Sequence, residues 1–98
     1  MNKQIASNAT RIMTKLGFPE AQIRKADKDR VVVNVPAKFR TVRTALSRQY
    51  GHCQHNLPVG KGRRATWVLN GKGTIVAKGP INGPSITLSF ATMPFIKV

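Results

Sequence analysis

Apolar residues recur every three or four positions at the start of the chain. Ile5, Ala9, Ile12, Met13 and Leu16 share one helical face, with Lys3, Arg11 and Lys15 elsewhere. The spacing predicts a helix over 2–16, with Gly17 placed as its C-terminal cap and Pro19 barring continuation. Residues 19–26 (PEAQIRKA) fit either a short helix with proline in its first turn or a strand. The β-branched run VVVNV at 31–35, bounded by charge and by Pro36, predicts a strand. Over 37–50 the helical period returns: Phe39, Val42, Ala45, Leu46 and Tyr50 form an apolar arc that Gly51 terminates.

Residues 51–64 carry no period of either kind and read as a long basic loop. ATWVLNGKGTIVAK then predicts a hairpin, with strands at 65–69 and 74–78 and a type I′ turn at Asn70-Gly71. After a loop at 79–84, SITLSFA alternates and places Ile86, Leu88 and Phe90 on one face of a further strand. The tail MPFIKV is apolar, and residues 93–98 are a candidate homodimer interface.

The order helix-strand-helix-strand-strand-strand predicts one α+β domain over 1–98, two helices against a mostly antiparallel sheet. A winged-helix arrangement is the runner-up. It would make 37–50 the recognition helix and 65–78 the wing, although the strand directly before that helix fits it poorly.

Charge changes this picture more than composition does. Seventeen Lys and Arg face three acids, for a net charge of +14, while a hydrophobic fraction of 41% is ordinary for a folded domain. Such self-repulsion opposes compaction, and the usual neutraliser is a nucleic-acid backbone, ahead of an anionic membrane or an acidic protein. No apolar run approaches the ~20 residues of a membrane span. The acid-free first nineteen residues loosely match an organelle transit peptide, but their apolar stripe and helix end suit a fold better, so the expected location is cytoplasmic. The single Cys53 excludes an internal disulfide.

The cations are patterned. In the helix at 37–50, Lys38, Arg40, Arg43, Thr44, Ser47 and Arg48 fill the arc opposite the apolar residues, with no acid on the segment. Cations and small hydroxyls in that arrangement suit phosphate contacts and groove reading. Lys61, Arg63 and Arg64 of GKGRR set exposed backbone N–H groups beside three cations, and Lys72 adds another at the hairpin tip. GKG is not a P-loop, because the Gly-x-x-x-x-Gly-Lys-Ser/Thr spacing is absent. Of six aromatics, Phe39, Phe90, Phe18 and Phe95 are expected in the core, which leaves Tyr50 and Trp67 as candidates for base stacking.

Catalysis has little to work with. His52, Cys53 and His55 are weak metal candidates: no other His or Cys exists to complete a zinc site, and three ligands within four residues make a cramped tetrahedron. Glu20, Asp27 and Asp29 all fall in one short stretch, so carboxylates for magnesium chemistry are wanting. The expectation is a non-enzymatic, cofactor-free nucleic-acid-binding protein, architectural or regulatory, with duplex DNA favoured. Rival readings are a small inhibitor from a phage or mobile element that docks on an acidic protein or ribonucleoprotein, and an RNA-binding or ribosome-associated protein.

Overall fold

The computed structural model describes residues 2–96, the Phe95 side chain excepted. The elements are α1 (Lys3–Lys15), β1 (Gln22–Ala26), β2 (Arg30–Val35), α2 (Phe39–Tyr50), β3 (His55–Val59), β4 (Gly62–Leu69), β5 (Gly73–Pro80) and β6 (Ile86–Ala91), followed by a 3₁₀ turn at Pro94–Ile96. All six strands join one antiparallel sheet in the order β1-β2-β6-β5-β4-β3. The class is α+β, two helices against an antiparallel sheet, as the pattern predicts. The winged-helix alternative falls, because β2, β6, β5 and β4 form a continuous ladder instead of a two-stranded wing.

The helices share one side of the sheet, α1 against β1 and β2 and α2 against β4 and β5. The register explains the core between them. Val31, Phe90, Ile75 and Trp67 make one cross-strand row, and Val33, Leu88, Ala77 and Ala65 the next, all buried. From the helices come Ile5, Ala9 and Met13 of α1 and Phe39, Val42 and Leu46 of α2. The paired alanines at 65 and 77 are small where α2 crosses, and the larger Trp67 and Phe90 fill the neighbouring row. No polar or charged residue is buried among the described residues.

Local signals set the ends of α1. The Asn2 side chain accepts a hydrogen bond from the Ile5 amide, capping the first turn. At the other end the Gly17 N–H donates to the Thr14 carbonyl and the Phe18 N–H to the Met13 carbonyl, a Schellman closure with Gly17 at φ 98°.

Two expectations need correction, and one open alternative is decided. Residues 51–64 do not form a long loop: β3 and the start of β4 make a hairpin there, closed by the two-residue turn Gly60-Lys61 between the paired Val59 and Gly62. The ambiguous 19–26 segment contains strand β1, with a bulge between Ile23 and Lys25. The turn at Asn70-Gly71 is not type I′, since only Gly71 has positive φ (71°). The Lys72 N–H donates to the Leu69 carbonyl, which gives a type II geometry and a three-residue connection to Gly73.

Both sheet edges resist further pairing. On β1 the bulge and the exposed Arg24 and Lys25 interrupt the edge. On β3, Val59–Gly62 is the hydrogen-bonded pair that closes the hairpin, so the alternation turns the nitrogen of Pro58, which has no hydrogen, to the outer edge. The C-terminal segment proposed as a dimer interface puts Met93 and Ile96 into the chain's own core, leaving neither side chain for a partner. Lys97, Val98 and the expected core role of Phe95 lie outside the described residues.

Replacing Leu46, fully buried at the centre of α2, by alanine is expected to lower the unfolding free energy by about 2–5 kcal/mol. Gly17→Ala is expected to cost about 1–2 kcal/mol through the left-handed backbone alone. Urea denaturation checks both, and an ordering in which Gly17→Ala is the costlier change contradicts the core assignment.

Candidate nucleic-acid interface

The period of two along β4 sorts the basic cluster GKGRR. Ala65, Trp67 and half-buried Leu69 point toward the helices, so Arg63 does too, while Arg64 points to the open face of the sheet. Arg63 lies beyond the end of the apolar rows, where the sheet extends past the first turn of α2. There its Nε–H donates to Oδ1 of Asn56, its cross-strand diagonal neighbour on β3, at 2.9 Å. That bond fixes the plane of the guanidinium while the bond itself leaves the terminal nitrogens unused.

Arg40 and Arg43, from the first half of α2, complete the site. With Phe39, Asn56, Arg63 and Ile81 they line an open groove of about 330 Å³. Arg40 is exposed and Arg43 half-buried. No carboxylate lines the groove. The amides of the first turn of α2 also lie at this end. Lys38 at the N-cap makes no side-chain cap, so they add the positive end of the helix dipole. A second groove of about 460 Å³ runs between α2 and the end of α1; Arg40, Thr44 and Arg48 form its basic wall, opposite Leu16 and Phe18.

Two of the three acids are held far from this site, while Glu20 lies in the α1–β1 connection, two residues past Phe18 of the second groove. Asp27 and Asp29 lie in the β1–β2 turn at the opposite edge of the sheet, roughly 24 Å away across five strand spacings. Among the described residues the one ion pair is Lys25–Asp27, 3.4 Å long and half-exposed. Among the described residues no carboxylate pairs with the arginines of the groove.

The candidate residues therefore divide. Lys38, Arg40, Arg43, Thr44, Ser47 and Arg48 share the outer side and flank of α2, and Arg63 joins them. Arg64 does not, because it projects from the other side of the sheet. Lys61 sits in the β3–β4 turn and Lys72 in the β4–β5 turn, roughly 27 Å apart along the eight residues of β4. Asn56 and Lys78 were not among the residues predicted for the site. Asn56 was hidden in a segment read as loop, whereas Lys78 follows from the predicted hairpin once its register is known.

The two stacking candidates fare differently from expectation. Trp67 is fully buried, and its indole N–H donates to the Gly51 carbonyl at 2.8 Å, tying the end of α2 to β4; no base can stack on it. Tyr50 is half-buried at the same end, beside Ile12, Leu69 and Met93, and burial raises its phenol above the ordinary value of 10.0. Neither aromatic is near the arginine groove.

His52 is exposed, Cys53 is half-buried and packs against the core, and His55 lies on β3 opposite Thr66. Among the described residues no three His, Cys, Asp or Glu side chains are grouped as metal ligands. Between Cys53 and His55, the Gln54 side chain bonds both the N–H and the carbonyl of Val68, so its amide acts as one more rung of the β3–β4 ladder. Among the described residues no helix is long and apolar enough to cross a membrane.

Trp67→Phe is expected to lower the unfolding free energy by about 1–3 kcal/mol, since it orphans the Gly51 carbonyl. A normal thermal melt for this variant would contradict the buried, structural role of this tryptophan.

No protein-family model, no curated protein and no solved structure matches this chain.

Proposed function

We propose that this protein binds nucleic acid through phosphate contacts, without catalysis, and that duplex DNA is its favoured target. The observation that carries the reading is the acid-free groove in which Arg40, Arg43 and Arg63 converge, with Arg63 held by Asn56. Guanidinium groups with free donors and no carboxylate partner match the fork geometry of phosphate oxygens. Arg48, Thr44 and Ser47 extend the same side of α2, and small hydroxyls beside cations are ordinary phosphate donors.

A duplex is favoured over a single strand because the groove offers no exposed aromatic. Phe39 is 3% exposed and Trp67 is fully buried, so base stacking has no platform there. With Asp27 and Asp29 in the turn at the far edge of the sheet, a polyanion meets the least repulsion at the edge that carries α2, β4 and β3.

Fluorescence anisotropy with a duplex of about 20 base pairs tests the reading. If six to ten phosphates are contacted, affinity falls about 10³–10⁵-fold between about 50 and 200 mM salt. The triple variant R40Q/R43Q/R63Q is expected to reduce the slope of log K against log salt by about three. A flat salt response, or an unchanged slope in the folded triple variant, overturns the proposal. Competition by single-stranded DNA and structured RNA at fixed salt reads the preference: RNA outcompeting the DNA duplex replaces DNA as the target.

A further inference from the structure

The two adjacent arginines of β4 point to opposite faces of one sheet, and the face that Arg64 occupies is basic in its own right. Arg64 is directly opposite Lys78 on β5, and both are exposed. Like charges placed opposite each other across an antiparallel pair repel, and no carboxylate among the described residues pairs with either. Lys61 stands in the adjoining turn. Beside it Gly62 lets the Gly79 carbonyl of β5 come close, and a recess of about 250 Å³ there is lined by Val59, Lys61, Lys78 and Pro80, with Arg63 at its rim. Thr66, Thr87 and Ser89 continue the same face with hydroxyl groups, and its apolar members are Val32, Val68 and Val76 with Leu57 and Val59 at the β3 edge.

This basic face is separate from the groove at α2. The single thickness of the sheet lies between them: Arg40 and Arg43 are on one side and Arg64 and Lys78 on the other. The two sites approach only at Arg63 beside the β3–β4 turn, and the flanking β3 edge is uncharged along Leu57, Pro58 and Val59. Leu57 and Val59 are 55% and 41% exposed there and carry nothing to hold a phosphate. A stiff duplex seated on Arg40, Arg43 and Arg63 therefore leaves Arg64 and Lys78 unneutralised.

Resting on the reading of the α2 groove as a duplex site, we propose that the open sheet face around Lys61, Arg64 and Lys78 binds a second duplex segment, so that one chain bridges two duplexes. The first site orients; the second neutralises the like-charge pair by phosphate contact, with threonine and serine hydroxyls as additional donors. Binding at the second face depends on charge more than on shape, so it weakens first as salt rises.

A bridging assay with the full chain tests this. One duplex is fixed on beads, and a fluorescent duplex of the same sequence is retained only if protein links the two. The native protein is expected to retain it, and R64Q/K78Q to lose at least about tenfold of that retention while still binding a single duplex by anisotropy. Both side chains are exposed and repel each other, so the variant is expected to unfold no earlier than the native protein; a thermal melt checks this. The charge-preserving variant R64K/K78R is expected to retain bridging. Native protein that binds one duplex but never bridges overturns this proposal and leaves the α2 site standing. Bridging that survives in R64Q/K78Q also overturns it, because self-association through another surface would then supply the link. Native protein that binds no duplex removes both readings together.

Discussion

The molecule is built around a single apolar layer into which no polar side chain among the described residues is buried. Two helices and one face of a six-stranded sheet enclose it, and Trp67, Phe90, Leu46 and Met13 are buried in it beside paired alanines. Seventeen cations cannot enter such a layer without partners, and three acids cannot supply those partners. The charge is therefore driven to wherever the layer ends. Along β4 the inward positions run from Arg63 through Ala65 and Trp67 to Leu69, so the cation appears at the first inward position beyond the reach of the core. The arginine groove follows from that: Arg63 has crossed the end of the hydrophobic layer and meets Arg40 and Arg43, which start α2 at the same end.

Segregation of two of the three acids completes the arrangement. Asp27 and Asp29 sit in the turn that joins β1 to β2, and the order of strands carries that turn to the edge opposite β3. Among the described residues the single ion pair, Lys25–Asp27, is consumed there. A chain with the same composition but acids scattered along α2 would have the same fold and no unneutralised groove. Position in the sheet, more than net charge, leaves the arginines of the groove without a carboxylate partner.

Much of this was legible from periodicity. The 3.6-residue repeat in α1 and α2 and the alternation in β6 each predict the buried residues correctly, because one side of each of these elements faces the core and the other faces water. Strand β3 was not legible, and β1 only as one of two alternatives, for the complementary reason. They are edge strands with little to bury: of HNLPV only Asn56 is even half-buried, and proline at 58 reads as a strand breaker unless its nitrogen is known to face outward. Missing β3 turned a hairpin into a loop. It then allowed Arg63 and Arg64 to be grouped as one surface, when the strand period sends them to opposite faces. Trp67 was misjudged by the same route, since its place beside a basic stretch suggested exposure while the alternation of Ala65, Trp67 and Leu69 already marked it as inward. The partner of Arg63, Asn56, became visible only with the register of β3 on β4.

The central claim is that Arg63, oriented by Asn56 and joined by Arg40 and Arg43, meets phosphate. The most direct measurement is a ¹H–¹⁵N NMR titration of the full chain with duplex DNA, following arginine side-chain Nε–H resonances together with backbone amides. The Arg63 Nε–H, which the Asn56 bond protects from exchange, and the amides of Arg40, Arg43 and Asn56 are predicted to shift first, and to return as salt is raised. Shifts confined to the opposite end of β4, around Lys72 and Tyr50, with the Arg63 resonance unmoved at saturation, would contradict it.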